Sequence, residues 1–182
     1  REAIPEIGNI IDATDHAVEV DFTELLNGGS RSGVSSTATV ISVATGSGII
    51  LRCPECKRAM RDGACMNPAC NSQGPQVGIE DLRLRLILDD GISNGAIILA
   101  RAPAEEFLEM SMDDVKAACK SDQGESFLAD LRSKMLGRKY TFTGRAMIDG
   151  QGALLMADSF KSSESDLAET ANEVREKWGV FA

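Results

Sequence analysis

Four of the chain's five cysteines lie within one short stretch, CPECKRAMRDGACMNPAC, at positions 53–70. Cys53 and Cys56 form one close pair, Cys65 and Cys70 form a second, and the spacing is C-x2-C-x8-C-x4-C. The link between the pairs is short enough to fold back, so four thiolates can converge on one tetrahedral ion at Zn–S distances of about 2.3 Å. The spacing predicts a zinc site, with iron in a rubredoxin-like site and a redox dithiol at Cys53 and Cys56 as alternatives.

The size and context of the chain favour a metal site over disulfides. With 182 residues it can bury a core without covalent staples. It has neither a secretory leader nor an apolar run long enough for a membrane span, so we expect a cytoplasmic protein, and Arg1 as first residue suggests a fragment of a longer one. Thiols stay reduced in that compartment. Four cysteine ligands leave no open coordination position, so the predicted zinc is structural and not catalytic.

Strand-type alternation recurs along the chain. The clearest case is LRLRLIL at 82–88, where the leucines occupy one face and Arg83, Arg85 and Ile87 the other. Residues 36–52 predict a first strand that bends near Gly46 and Gly48, and residues 94–101 predict the strand that pairs with 82–88.

Two further strands are predicted at 138–147 and 152–160, with Tyr140 and Phe142 on the inward face of the first. Helical patterns lie between the third and fourth strands, and Cys119 joins an apolar helical face there, so it is not predicted to be a fifth ligand. This order predicts a mainly β fold with flanking helices. The predicted architecture is a five-stranded barrel of the oligonucleotide-binding (OB) type, with the cysteine ribbon inserted after the first strand.

Three segments are predicted from this pattern. Residues 1–30 are an acidic N-terminal segment with a capping pattern at Asp21 and Glu24, followed by a Gly/Ser-rich flexible linker. Residues 31–161 form the OB-fold domain. Residues 162–182 form a C-terminal amphipathic helix whose apolar stripe is typical of a short coiled-coil seam; its members are Leu167, Ala171, Val174 and Trp178. This helix either docks on its own domain or associates with other subunits.

The charge is unevenly distributed. The net charge is −9, but acidic residues concentrate at the ends and in the helical segments, whereas the strand-rich segments 31–101 and 138–161 are net positive. Basic residues lie opposite the apolar strand faces or near the ends of strands and ribbon, and we predict that they form a binding face for a polyanion. They are Arg52, Lys57, Arg58, Arg83, Arg85, Arg101, Lys139 and Arg145.

Catalytic motifs are poorly supported. The single histidine, His16, lies in an acidic stretch far from any other catalytic pattern. The Gly-rich NGGSRSGV lacks the Lys-Ser or Lys-Thr ending of a P-loop and is interpreted as a linker. We therefore do not predict an enzyme.

The run GSGIILRCPECKRAMRDGACMNPAC, followed by DLRLRLILDDG, GAIILARAP, GRKYTFTGRAMIDGQGALLMAD and EVREKWGV, resembles the zinc-containing domain of archaeal replication protein A over about residues 30–180. The resemblance implies an OB barrel with a zinc ribbon in its first loop, which binds single-stranded DNA during replication, repair and recombination. It also implies Cys53, Cys56, Cys65 and Cys70 as zinc ligands, and a C-terminal helix at 164–178 that can assemble with other replication protein A subunits.

Two other functions remain open at this point. The acidic total and the scarcity of aromatic residues favour a non-catalytic assembly subunit whose barrel and tail helix mainly contact proteins. A ribbon joined to a barrel also occurs in accessory proteins that bind an acyl carrier or coenzyme, although there we expect the ribbon ahead of the barrel. The choice between DNA and RNA is open as well.

Overall fold

Four leucines at two-residue spacing form the centre of the fold. They lie on strand β6 (Ile79–Asp89). The side chains of Leu82, Leu84, Leu86 and Leu88 are fully buried, which confirms the predicted core face of this strand. The structure is a computed structural model that describes residues 17–72, 74–120, 122, 124–149, 152–163 and 175–176.

The other strands of the described chain are short or medium in length. They are β1 (Val18–Glu19), β2 (Arg31–Val43), β3 (Gly48–Arg52), β4 (Met60–Arg61), β5 (Ala64–Cys65), β7 (Asn94–Leu99), β8 (Lys139–Asp149) and β9 (Gly152–Ser162). The helices are α1 (Phe22–Asn27), α2 (Arg101–Leu108), α3 (Met112–Ala118) and α4 (Glu125–Met135). The fold is therefore mainly β with a few helices, and none of the helices in the described residues is long and apolar enough to cross a membrane.

Strand pairings lead around the sheet and return to their start. β2 pairs with β8, β8 with β9, β9 in parallel with β7, and β7 with β6, while β6 also pairs with β2. The predicted bent first strand is divided into β2 and β3 by the turn at 44–47. Both parts pair with β6, Val43 opposite Leu86 and Gly48 opposite Arg83. β4 and β5 form a separate small hairpin between β3 and β6.

The helices α2, α3 and α4 cover part of the core. α3 begins at the predicted capping box, where the Ser111 hydroxyl and the Asp114 carboxylate accept each other's backbone N–H. Aromatic rings pack together beneath α2, with Phe107 at ring-centroid distances of 5.1 Å from Tyr140 and 6.1 Å from Phe142. Phe142 is fully buried and Tyr140 packs against the same core, which confirms their predicted inward orientation.

Residues 18–27, predicted only as part of an acidic segment with a capping pattern, fold against the core. The predicted capping box of Asp21 and Glu24 is present at the start of α1, but the helix also places Phe22 and Leu25 in the hydrophobic core. A side-chain Cβ on Gly95 of β7 would overlap the Phe22 ring, so the absence of a side chain there allows α1 to approach. β1 adds a short parallel pairing with β2. This part of the acidic segment thus packs with the strands.

The strand predicted over 94–101 ends earlier, at Leu99, and Arg101 is instead the first residue of α2. Ala100 is extended and its carbonyl accepts the N–H of Ala104, which starts the helix. Pro103 lies in the first turn, where a missing N–H costs nothing.

Candidate functional site

The two predicted thiol pairs are formed by two tight turns. In the first, the Lys57 N–H donates to the Cys53 carbonyl at 2.9 Å, and Lys57 adopts a left-handed conformation with φ of 60°. In the second, the Cys70 N–H donates to the Asn67 carbonyl at 3.0 Å, so the four intervening residues curl back. The four sulfurs consequently lie within 4.8 Å of one another, as the spacing predicts.

The sulfur geometry fits one tetrahedral ion. Four thiolates at about 2.3 Å from a central zinc are separated from each other by about 3.8 Å. The Cys53 and Cys70 sulfurs are 3.8 Å apart and the Cys56 and Cys65 sulfurs 3.4 Å, and all four cysteines are free of disulfides. Four sulfur donors in this arrangement suit zinc or iron.

The thiols of the cysteine cluster differ in their pKa values. The Ser72 hydroxyl and the backbone at Cys56 lower the pKa of the Cys53 thiol to about 6, and the backbone N–H of Arg58 lowers the pKa of Cys56. The backbone N–H of Asn67 lowers the pKa of Cys65, but burial and the neighbouring sulfurs outweigh it and raise that pKa to about 12. Negative charge therefore accumulates poorly on four adjacent sulfurs unless a cation compensates for it, which agrees with a metal-binding role.

Cys119 lies apart from this cluster. It is partly buried, packs against the core and lines a small cavity with Phe127 and Leu128. Burial, with the nearby Asp122 carboxylate, raises the pKa of its thiol. Its packing on the core follows the prediction, and it lies outside the group of four cysteines that could hold a metal.

A groove of about 980 Å³ runs between strands β3 and β6 and the cysteine ribbon. One wall comes from β3 and the preceding turn, one from β6, and the third from the hairpin of β4 and β5 with the adjoining Met66. The lining residues are Thr45, Gly46, Ile49, Ile50, Leu51, Ala59, Met60, Arg61, Asp62, Gly63, Met66, Arg83 and Arg85. We call this space the ribbon groove.

Two arginine side chains of β6, Arg83 and Arg85, line the ribbon groove, and Arg52 of β3 lies close to Arg83 without lining it. The Arg83 guanidinium donates to the Gly46 carbonyl through Nε at 3.2 Å and Nη2 at 3.0 Å. Burial, with the nearby guanidinium groups of Arg52 and Arg85, lowers the pKa of Arg83. Arg52 forms an ion pair with Asp81, so part of this positive charge is compensated within the protein.

The remaining predicted basic residues are more dispersed. Lys57 and Arg58 are exposed on the first turn of the ribbon, where the Lys57 ammonium donates to the Pro54 carbonyl at 2.7 Å. Arg101 is exposed and pairs with Glu105 at 3.3 Å. Lys139 and Arg145 are exposed at different points along β8. None of these five residues lines the ribbon groove.

Arg61 lines the ribbon groove but was not among the predicted binding residues. It precedes the Asp62–Gly63 turn of the β4–β5 hairpin, and the Gly63 carbonyl accepts the Gln76 N–H at 3.0 Å, which ties the turn to the returning chain. An Asp-Gly pair between two short segments is a strong hairpin signal and could have located this wall of the groove.

Apolar contact surface in the ribbon groove comes from aliphatic and thioether side chains. Met66 is 60% exposed and Leu51 41% exposed, and Met60 lies beside them. The aromatic rings of the described residues pack in or against the core, so the ribbon groove contains none of them. The predicted oligomerisation residues Leu167, Ala171, Val174 and Trp178 lie outside the described residues.

Comparisons with known proteins give structural matches only. No protein-family model matches the chain, and no curated protein matches it. A solved chain of a replication protein A heterotrimer bound to ssDNA matches with a TM-score of 0.50 and 16% identity, over 80% of this chain and 34% of that one. The present chain thus spans about a third of that chain's length.

Two further structures align at lower scores. Yeast RPA bound to ssDNA has a TM-score of 0.48 and 14% identity, over 81% of this chain and 85% of that chain. The second OB-fold domain of replication protein A from Methanococcus maripaludis has a TM-score of 0.41 and 15% identity, over 82% and 99% of the two chains. At 16% identity, the match to the heterotrimer chain shows a likeness of fold alone.

Proposed function

We propose that the chain is a single-stranded DNA-binding module of the replication protein A type, built on an OB barrel with a structural zinc ribbon. The ring of pairings from β2 through β8, β9, β7 and β6 back to β2 supports a closed five-stranded barrel. The proposed domain spans 31–161 and the proposed zinc ligands are Cys53, Cys56, Cys65 and Cys70. When bound, the zinc fixes the ribbon as a rigid wall.

The observation that carries the proposal is the ribbon groove, with Arg61, Arg83 and Arg85 on two of its walls. Guanidinium groups bind phosphate oxygens in paired hydrogen bonds and retain their charge at any physiological pH. A single strand can place its phosphates against such groups while its unstacked bases contact apolar side chains such as Met60 and Met66. In a duplex the bases are stacked inside and offer no comparable surface.

The affinity is expected to be moderate. Proteins that bind single strands usually stack bases on aromatic rings, each worth about 1–3 kcal/mol. The ribbon groove has no such ring among the described residues, so phosphate contacts supply most of the binding energy and make it sensitive to salt.

The test is a fluorescence anisotropy titration of labelled oligo-thymidine with the zinc-loaded protein at several salt concentrations. Each phosphate contact contributes about −0.7 to the slope of log affinity against log salt for a single strand. We expect salt-sensitive binding that a duplex of equal length fails to displace. Absence of binding at low salt would overturn the proposal.

We further propose a role in DNA metabolism like that of replication protein A. A module of this kind protects exposed strands during replication, repair and recombination, and requires no catalytic residue. Its partners are single-stranded DNA and other replication protein A subunits, the latter through the helix at 164–178. Light scattering of Trp178→Glu tests this assembly role: an oligomer that persists unchanged contradicts it.

A further inference from the structure

The carbonyl that holds Arg83 belongs to a well-anchored turn. Gly46 lies between β2 and β3, and the turn is tied to β6 on both sides of it. The Ala44 N–H donates to the Arg85 carbonyl at 2.8 Å, while the Ser47 hydroxyl donates to the same carbonyl at 3.0 Å and accepts the Arg85 N–H at 2.9 Å. The Gly46 carbonyl is therefore held in place relative to β6.

A side chain at position 46 would meet Arg83 and would also strain the backbone. Gly46 has a φ of +83°, and a Cβ built on it would lie 2.8 Å from Arg83 Nη2, the only heavy atom of the described residues within 4 Å of that position beyond its chain neighbours. Since Nη2 is the far end of a flexible side chain, the arginine would move away and the fold would be retained. Glycine at this position thus permits the Arg83 contact.

The contact leaves one edge of the guanidinium for a ligand. Nε and Nη2 form one side of the planar fork, and both donate to the Gly46 carbonyl. The Nη1–Nη2 edge makes no hydrogen bond to any acceptor within the described residues, and Arg83 lines the ribbon groove. Two parallel N–H groups on such an edge match two oxygens of a phosphate.

We propose that Gly46 is a positioning residue, which holds Arg83 so that its Nη1–Nη2 edge receives a backbone phosphate of the bound strand. The inference rests on the proposed single-stranded DNA binding and adds a defined phosphate-binding position at Arg83. Holding a long side chain before the ligand arrives avoids the loss of rotamer freedom on binding, and this loss lowers affinity by about two- to tenfold.

Gly46→Ala has a matched control in Gly91→Ala. Gly91 has a φ of +89°, so alanine suffers comparable backbone strain there, but no heavy atom in the described part of the chain lies within 4 Å of its Cβ position beyond its chain neighbours. Gly91 lies at the β6–β7 turn and does not line the ribbon groove. Thermal unfolding of both variants shows whether the strain is equal. If Gly46→Ala fails to fold, Gly46→Asn and Gly91→Asn replace the pair, because asparagine tolerates left-handed backbone.

The experiment measures oligo-thymidine affinity for the zinc-loaded wild type, both glycine variants, Arg83→Met, and Gly46→Ala combined with Arg83→Met. We expect Gly46→Ala to weaken binding by about two- to tenfold. Gly91→Ala is expected to bind like the wild type. Arg83→Met is expected to reduce the salt slope by about 0.7. Adding Gly46→Ala to Arg83→Met is expected to cause no further loss of affinity, because the effects of two substitutions that remove the same contact do not add.

Three results overturn the inference, and they differ in what they say about the proposed function. Equal affinities of Gly46→Ala and Gly91→Ala would remove the positioning role and leave DNA binding intact. A full additional loss in the Arg83→Met background would mean that Gly46 acts independently of Arg83. Failure of the wild type to bind oligo-thymidine would overturn both the proposed function and the phosphate-binding position at Arg83.

Discussion

The single residue Asp90 connects α1 to the turn between β6 and β7. One carboxylate oxygen accepts the Phe22 N–H at 2.7 Å, at the start of α1, and the other accepts the N–H groups of Ile92 and Ser93 at 2.8 and 2.7 Å. Burial of the carboxyl opposes ionisation, but these N–H groups outweigh burial and lower its pKa. Asp90 thus satisfies a helix N-terminus and a turn at once.

We expect Asp90→Asn to destabilise the protein by about 1 kcal/mol, as for the loss of a helix-capping group. The measurement is urea unfolding. Asp113→Asn is the control, because its side chain is 94% exposed and lies 3.9 Å from the nearest cation, Lys116. We expect its effect to stay within about 0.5 kcal/mol. Equal effects of the two substitutions would contradict the role given to Asp90.

The stability difference between the wild type and Asp90→Asn is expected to depend on pH. Because the pKa of Asp90 is lower in the folded state than the unfolded value of about 3.9, its ionisation stabilises the fold above that pH. This contribution is lost as the pH falls through the folded pKa. The stability difference between wild type and Asp90→Asn is therefore expected to be largest near neutral pH and to shrink below about pH 4. A difference that grows on acidification would contradict this assignment.

Among the elements, the cysteine ribbon and the core of the large sheet depend on different interactions. The ribbon is organised around the four thiols, whereas β6 has its leucines fully buried and pairs with β2 and β7 independently of the ribbon. Chelation of the proposed metal is expected to release the ribbon and spare the large sheet, so amides at 53–72 should exchange rapidly while those of β6 stay protected. Protection that is lost equally in β6 would contradict this separation.

Metal content offers a matched comparison between two cysteines. Cys65→Ser removes one of the four sulfurs and is expected to lose the metal, whereas Cys119→Ser, which changes only packing against the core, is expected to retain one ion per chain. Elemental analysis of both variants decides this and identifies zinc or iron. Because Met60, Arg61 and Met66 line the ribbon groove, Cys65→Ser should also weaken binding to oligo-thymidine.

Local patterns predicted the elements better than their mutual packing. The two-residue period of β6, the capping boxes at Asp21 and Ser111, and the convergence of the cysteines each depend on neighbours a few residues apart, and each was predicted. The docking of Phe22 beneath Gly95 and the sharing of one groove by Arg61 and Arg83 join distant parts of the chain. Such arrangements leave no periodic signal, so the packing of α1 on the core was not predicted and Arg61 was missed. The predicted Gly/Ser-rich linker is also shorter than expected, because β2 already begins at Arg31.

For the whole molecule, the positions of the charged residues bear more on binding of a polyanion than the net charge does. The chain carries −9, yet guanidinium groups gather in the ribbon groove. Asp62 also lines the groove, but other exposed acidic side chains of the described residues lie away from it, including Glu106 and Asp113 on the helices. Repulsion by these helices would favour contact of a polyanion with the groove over contact with the helical surface.

The predicted basic residues outside the ribbon groove allow this to be tested. Register pairs place Arg145 in the same cross-strand row as Arg85, through Met156 and Ile98, at three interstrand spacings, or about 14 Å along the sheet. Lys139 lies further along β8, opposite Thr39 of β2. A strand confined to the ribbon groove reaches neither residue.

We therefore expect two double charge reversals with the same change in net charge to behave differently. Arg83→Glu with Arg85→Glu should remove two phosphate contacts and reduce the salt slope for oligo-thymidine by about 1.4, whereas Lys139→Glu with Arg145→Glu should leave the slope unchanged. Circular dichroism checks that both variants fold. Since both alter the total charge equally, equal losses of affinity would show that the overall field, and not the ribbon groove, attracts the strand. A larger loss for the second pair would move the binding path onto β8.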